Sequence, residues 1–200
     1  MLRFFLILFV GLVPALSFGQ YNWKLEKDKD GIKVYTSNVA KSSFKAVKVE
    51  CNFTGNYAKL ISVLSNVSLF KEWVFHSKSA VLLKQTSPHD LIYYTETSMP
   101  FPLSNRDVVI HLNIRTDSLP KFLLISATAV PGMVPNIPTK VRVPKYASSW
   151  KITMPSATTL HIEYVVELDP GGSIPGWASN MFAEKGPFGS FSKLGERLRQ

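Results

Sequence analysis

The chain has 200 residues, is 46% apolar, carries a formal net charge of +9 and contains a single cysteine, Cys51. This length and apolar content suffice for one domain with its own core, and a lone cysteine excludes an intramolecular disulfide framework. The lysines and arginines are scattered and no nucleic-acid motif occurs, so nucleic acid is not an expected partner. We interpret the charge as a solvated basic surface, with attraction to anionic membranes as the alternative.

The first 19 residues have the pattern of a secretory signal peptide. Arg3 precedes an apolar run over residues 4–13, and the small-residue pattern Ser17-Phe18-Gly19 follows. The run is too short for a membrane-spanning helix, which needs about 20 residues, so a permanent anchor is the weaker alternative. We therefore expect residues 1–19 to be removed and residues 20–200 to be exported as a soluble periplasmic or secreted protein.

Alternation of apolar and polar residues predicts a long antiparallel sheet. A hairpin is expected at the start, with strands 23–26 and 32–35 joined by a charged turn that ends in Gly31. In the next strand Val47, Val49, Cys51 and Phe53 share a face, so the thiol is expected to be buried rather than catalytic. Further strands are predicted at 78–84, 90–98, 107–115, 121–129, 148–154 and 158–168.

Two segments have helical spacing. The first covers residues 56–64, where Asn56 can serve as the cap. The second runs from a cap at Ser173 to Arg199 and carries an apolar stripe. The stripe consists of Trp177, Met181, Phe188, Phe191, Leu194 and Leu198. Pro187 interrupts it, so this helix is expected to kink or to divide into two.

The sequence offers little that is arranged for catalysis. Its four histidines lie far apart, and nucleophile-elbow, phosphate-loop and dinucleotide-binding patterns are missing. No histidine pair has the spacing of a metal site. We therefore predict no catalytic residue, no metal and no cofactor.

Several phrases resemble a known family when they are taken in order. They are the opening hairpin from Trp23 to Tyr35, Trp73, the proline-bracketed Pro100-Phe101-Pro102-Leu103-Ser104-Asn105-Arg106-Asp107, Val141-Arg142, Trp150, and Asp169-Pro170-Gly171-Gly172-Ser173-Ile174-Pro175-Gly176-Trp177-Ala178-Ser179-Asn180. In this order and spacing they are similar to the START family, the lipid-transfer domains related to steroidogenic acute regulatory protein. The resemblance covers residues 21–199.

This resemblance implies an α+β fold of the helix-grip type, in which a curved antiparallel β-sheet wraps around a long C-terminal α-helix and leaves an internal apolar tunnel. It also implies a monomeric, non-enzymatic carrier for one apolar ligand, such as a fatty acid, a phospholipid or a sterol-like molecule. Two alternatives stay open. One is an enzyme of the polyketide cyclase or aromatase type, and the other is a ligand-gated sensor that binds a protein partner.

Candidate ligand-binding residues follow from the inward faces together with the resemblance. They are Trp73, Tyr94, Phe101, Ile110, Leu112, Trp150, Ile152, Tyr164, Val166, Trp177 and Met181. The alternative is that these side chains simply fill a core, because alternation alone cannot distinguish the two.

Ligand exchange would need moving parts. The proline-rich loop with Pro131, Gly132 and Met133 and the helix break at Gly186 and Pro187 are the candidate gates. Arg106 and Asp107 are interpreted as a structural pair at a strand end, with a polar contact to the ligand as the alternative. The basic residues near the C-terminus suit a helix end by its dipole, and transient contact with a membrane surface is the further reading.

Overall fold

The computed structural model describes residues 21–40, 42 and 44–200. The predicted signal peptide lies outside these residues. The ten strands occupy Lys24–Lys29 (β1), Ile32–Asn38 (β2), Lys45–Thr54 (β3), Ser77–Ser87 (β4), Asp90–Thr97 (β5), Asn105–Arg115 (β6), Leu123–Ala129 (β7), Lys140–Arg142 (β8), Lys145–Ser156 (β9) and Thr159–Asp169 (β10). The predicted strands are all present, and β8 is an addition.

The strands form one sheet in the order β1-β2-β3-β10-β9-β7-β6-β5-β4. All pairs along this path are antiparallel, and β8 lies off the path in a parallel pairing with the start of β6. The chain thus passes from the β1 edge through β3, crosses by helices to the opposite edge at β4, and returns strand by strand to the centre.

The crossing consists of α1 (Tyr57–Ser65), a 3-10 turn (Val67–Leu69) and the short α2 (Phe70–Trp73). The Asn56 side chain accepts a hydrogen bond from the Lys59 backbone N–H at 2.9 Å, which confirms the predicted cap. One face of α1 is buried, with Leu60, Val63 and Leu64 in the core.

The α-helical hydrogen-bond pattern of the C-terminal segment is interrupted beside the predicted break, although the backbone stays helical from Gly176 to Arg199. Helix α3 (Gly176–Asn180) leads into a π-helical turn (Met181–Lys185), which is followed by α4 (Gly186–Arg199). Pro187 is the second residue of α4, directly after the π-helical turn, so its missing N–H falls where the α-helical hydrogen-bond pattern is already interrupted. The predicted cap at Ser173 is wrong, because the extended Pro175 precedes the first helical residue.

Helix α4 covers the inward face of the sheet. Its buried residues Phe191, Leu194 and Leu198 join a core to which nearly every strand contributes. Cys51 is 2% exposed within this core, and burial raises the pKa of its thiol. The result is the α+β arrangement of the helix-grip fold, a curved antiparallel sheet closed on one side by a C-terminal helix.

Candidate functional site

A pocket of about 310 Å³ lies between the sheet and the C-terminal helices. Strand β6 contributes Val108, Ile110 and Leu112 to its wall, since alternate residues of a strand face the same side. The far wall comes from Phe191 on α4 and Trp73 on α2. The volume is at the lower end of the range of about 300 to 1,000 Å³ that is usual for small-molecule sites.

Aromatic rings form a cluster in this wall. The ring centroid of Trp150 lies 4.7 Å from that of Tyr164 and 5.2 Å from that of Phe191, and the last two are 5.3 Å apart. Trp150 and Phe191 are nearly parallel, with an interplanar angle of 29°. Such rings present a broad, rigid apolar surface to whatever fills the pocket.

A group of hydroxyls interrupts the apolar wall. The hydroxyl of Tyr146 donates to Ser148 Oγ at 3.3 Å, and Tyr93 and Tyr164 also belong to the wall. Burial raises the pKa of Tyr93 and of Tyr164 well above the usual value for a phenol, so both stay protonated at neutral pH. These groups can donate and accept hydrogen bonds, but they do not supply a charge.

The start of β6 carries a buried charged pair beside the pocket. Asp107 is 1% exposed and accepts two hydrogen bonds from Arg142, at 2.9 Å from Nε and 3.0 Å from Nη2. These hydrogen bonds raise the pKa of Arg142. Arg142 also donates to the carbonyls of Val134 and Pro135, so the pair binds the loop before β8 to the sheet.

Arg106 faces the other way, into the pocket wall, and is 5% exposed. Its Nη1 donates to the Ser104 carbonyl at 2.6 Å and its Nη2 to the Gly171 carbonyl at 3.3 Å. Its Nε has no partner among the described residues. The guanidinium therefore links the β5–β6 loop to the segment that leads into α3.

Helix α4 and the π-helical turn close the pocket against Phe75. A Cβ at Gly186 or Gly189 would come within 3.3 Å and 3.2 Å of the Phe75 ring, so these glycines permit the close approach. Ser190 Oγ accepts a hydrogen bond from the Phe75 backbone N–H at 3.0 Å. The contact joins the helical cover to the segment just after α2.

Within the described residues, no three side chains of His, Cys, Asp or Glu come together as metal ligands, and no helix is long and apolar enough to cross a bilayer. The pocket wall contains no carboxylate, imidazole or thiol from these residues. Its only charged side chains there are those of Lys45 and Arg106.

The sequence and the fold are both similar to those of known proteins. The family model described as START domain matches residues 15–200. The chain belongs to the START domain family. A STAR-related lipid transfer protein from Xanthomonas axonopodis, solved as a crystal structure, superposes with a TM-score of 0.80 at 32% identity, covering 89% of this chain and 99% of that one.

Two further proteins are similar in sequence. An uncharacterized protein of Pseudomonas aeruginosa is 33% identical over 174 residues, covering 86% of this chain and 85% of that protein. The phosphatidylcholine transfer protein of Mus musculus is 28% identical over 177 residues, covering 86% of this chain and 81% of that protein. The similarity to START proteins thus extends along nearly the whole chain.

The structure brings part of the predicted START site together. Six of the predicted residues belong to the pocket wall, and so do both predicted hinge residues of the helix break. These are Trp73, Ile110, Leu112, Trp150, Tyr164 and Val166, together with Gly186 and Pro187. Their contact with a ligand stays a prediction.

Other predicted residues lie outside the wall. Tyr94 faces away from the pocket and its hydroxyl accepts from Lys140, because it is the neighbouring Tyr93 that points inward. Ile152 is fully buried and fills the core rather than bordering the pocket. Phe101 is 95% exposed at the tip of the β5–β6 loop.

The first two residues of the predicted apolar stripe of the C-terminal helix do not lie in the pocket wall. Trp177 is 52% exposed, and Met181 does not border the pocket. Their neighbours Ala178 and Phe182 occupy the wall instead. The π-helical turn explains this shift, because its wider turn breaks the spacing that would align these residues with Phe191 and Leu194. The predicted gate residues Pro131, Gly132 and Met133 lie in the loop before β8, outside the wall.

One wall residue was assigned a mainly structural role from the sequence. Arg106 lies two positions before Val108, so the alternation of β6 places both on the inward face. The same alternation, continued two residues toward the start of β6 from Val108, would have assigned Arg106 to the pocket wall.

Proposed function

We propose that this protein is a non-enzymatic carrier that encloses one lipid or similar amphiphile in the pocket beneath its C-terminal helices. The observation that carries the proposal is the apolar, aromatic pocket of about 310 Å³ in a fold shared with lipid transfer proteins. In this proposal the pocket is part of an internal tunnel that holds the apolar chain of the ligand. The monomer is the carrying unit, since sheet and helix enclose the pocket within one chain.

Energetics set the kind of ligand that suits such a pocket. Burial contributes about 0.8 kcal/mol for each CH₂ group, whereas association costs on the order of 4 to 15 kcal/mol. A tightly held ligand must therefore bury about ten or more carbons. A pocket of about 310 Å³ lies within the range that is usual for small-molecule ligands.

The chemistry of the wall argues against an enzyme of the cyclase type. Acid–base catalysis needs a group whose pKa is near the working pH. Among the described residues, the wall offers Tyr93 and Tyr164, which burial keeps protonated, together with two cations, Lys45 and Arg106. This set can hold and orient a ligand, and it lacks a base.

Ligand entry, membrane contact and export complete the proposal. The helix break at Gly186 and Pro187 borders the pocket and serves as the moving part, with the loop of residues 131–138 beside it. The ligand is collected from or delivered to a membrane surface with which the protein makes transient contact. Removal of residues 1–19 sends the carrier to the periplasm or the exterior.

Native mass spectrometry of the protein expressed with its full sequence in a bacterial host tests these points together. The expected result is a chain that begins at Gln20 in the exported fraction and carries one lipid adduct per protein. The adduct would identify the ligand by its mass. A purified protein that stays empty and takes up no added lipid would contradict the carrier function, and a cytoplasmic chain that retains residues 1–19 would contradict export.

A further inference from the structure

We propose that Arg106 binds the anionic head of the ligand, a carboxylate or a phosphate, inside the pocket. This inference deepens the proposed function and rests on it. It makes the ligand an anionic amphiphile whose charged end lies at the start of β6.

The surroundings of Arg106 lack the negative charge that a buried guanidinium requires. No carboxylate of the described residues lies within ion-pair distance of it. Its neighbour Asp107 is occupied by the two hydrogen bonds from Arg142. Arginine stays charged in proteins, and a buried charge without a counter-charge is costly. An anionic group in the pocket would supply that counter-charge.

The charges around Arg106 do not cancel. The cations near the start of β6 are Lys78, Arg106, Lys140 and Arg142, and the carboxylates are Glu96 and Asp107. Glu96 is shared by Lys140 at 2.6 Å and Lys78 at 3.1 Å, and Asp107 is paired with Arg142. A third carboxylate, Asp169, accepts from the Gly171 N–H in the turn that Arg106 binds. The cluster therefore has one positive charge in excess, and Arg106 is the cation directed to the pocket.

The unpaired polar atoms of the wall point to the same chemistry. Arg106 Nε and Trp73 Nε1 are buried without a hydrogen-bond partner among the described residues, and both are donors. A head rich in acceptor oxygens satisfies donors, whereas an ammonium head, which can only donate, would compete with them. Carboxylates and phosphates match the fork of a guanidinium in particular.

Strand β6 also gives the ligand a direction. Arg106, Val108, Ile110 and Leu112 follow one another on the pocket face. At about 3.3 Å for each residue, this row extends for about 20 Å from the guanidinium into apolar surroundings. A head at Arg106 would therefore place the chain along β6, toward the aromatic cluster of Trp150.

The second cation of the wall, Lys45, is the alternative binding residue for an anionic head. Lys45 has a side chain that is 42% exposed and lies 3.9 Å from Glu26. It is therefore solvated and already has a counter-charge. This difference from Arg106 supplies a matched control for the experiment.

Three ligands with the same chain separate head from tail: dodecanoate, dodecyl phosphate and 1-dodecanol. Their affinities for the delipidated wild-type protein can be measured by isothermal titration calorimetry at pH 7.5. At least one anion is expected to bind ten times more tightly than the alcohol. The comparison of the two anions then assigns the head as a carboxylate or a phosphate.

Variants show which side chain is responsible for the preference for an anionic head. Arg106→Gln should bring the ratio of anion to alcohol affinity close to one while the affinity for 1-dodecanol stays unchanged. Lys45→Gln should retain the ratio, and this arm decides the matter if Arg106→Gln does not fold. A ratio near one in the wild-type protein, a ratio lost in Lys45→Gln, or an equal loss for all three ligands in Arg106→Gln would overturn the inference while leaving lipid binding intact. Absence of binding for all three ligands would overturn the proposed function itself.

Discussion

Glu96 is a buried carboxylate whose partners make it sensitive to acid. Its side chain is 6% exposed and accepts hydrogen bonds from Lys140 at 2.6 Å and Asn105 at 2.7 Å, while Lys78 lies 3.1 Å away. Burial alone would raise the pKa of Glu96, but these hydrogen bonds outweigh it and lower the pKa from 4.5 to about 2. Since the folded state holds the proton more weakly than the unfolded state, the stabilisation is present above about pH 4.5 and is lost toward pH 2.

Replacing Glu96 with Gln should therefore reduce the acid sensitivity of the protein. The free energy of unfolding of the wild-type protein is expected to fall between pH 7 and pH 3, and the fall should be smaller in Glu96→Gln by on the order of 2 kcal/mol. Urea denaturation at the two pH values measures this. Glu196→Gln, on the exposed face of α4, should behave like the wild-type protein. An unchanged pH dependence in Glu96→Gln would contradict the assignment.

Adjacent residues in a strand can have different roles. Arg106 and Asp107 show which part of such roles can be predicted from the sequence. The Arg-Asp phrase between prolines predicts a structural pair, and Asp107 does have this role with Arg142. Alternation also predicts that Arg106 shares the face of Val108. What the sequence cannot supply is the partner, because Arg142 is 35 residues away and reaches Asp107 only through the parallel pairing of β8 with β6.

At the scale of elements, the contact of α4 with β3 depends on a glycine. A Cβ at Gly195 would lie 2.7 Å from Phe53 Cε1 and 2.9 Å from Cδ1, and the ring is buried. Gly195→Ala should therefore lower the free energy of unfolding by about 1 to 3 kcal/mol because the helix must move away from the sheet. Thermal unfolding followed by circular dichroism measures the effect.

Gly176→Ala is the matched control. It lies at the start of α3 with nothing within 4 Å of the added methyl group. Because alanine is the better helix former, its stability should equal or slightly exceed that of the wild-type protein. Equal stability of Gly195→Ala and Gly176→Ala would show that α4 does not press on β3 as described.

The helix break before α4 leads to a prediction about the rate of ligand exchange. Pro187 lacks the N–H that a continuous helix would donate to the Ala183 carbonyl, and the π-helical turn occupies this place. Pro187→Ala should allow a continuous helix and slow the transfer of a fluorescent fatty acid between vesicles several-fold. Pro155→Ala, on the exposed end of β9, should leave the transfer rate unchanged. A raised helix content with an unaltered rate would exclude the break as the gate.

The elements themselves were largely predictable, and the exceptions have physical causes. Alternation predicted most of the strands because they keep an apolar face over several residues, whereas β1, in which Leu25 is the one apolar residue, was predicted from the turn residues of the hairpin. Strand β8 has only three residues and none of them is fully buried, so its pairing with β6 leaves no periodic signal. The proline predicted the break in the C-terminal helix, but the displacement of Trp177 follows from the π-helical turn, which local sequence spacing does not indicate.

At the scale of the whole molecule, three exposed apolar side chains stand on segments that meet the start of β6. Phe101, Trp177 and Met133 are 95%, 52% and 44% exposed. Their three segments are joined at the start of β6, where Arg106 bonds the turn before α3 and Arg142 bonds the loop before β8. Apolar tips on a protein of net charge +9 would suit an anionic bilayer surface.

Phe101→Ser and Trp177→Ser should therefore weaken binding to anionic vesicles. Burial of a large apolar side chain contributes about 1.5 to 3 kcal/mol, so each change is expected to reduce the affinity about tenfold in a sedimentation assay. Val81→Ser is the control, because Val81 is 52% exposed on the edge strand β4, outside these loops. Added salt should weaken the binding of every form by screening the charges. If Val81→Ser had the same effect as Phe101→Ser, the apolar contribution would be spread over the surface, and the proposed docking face formed by these loops would be contradicted.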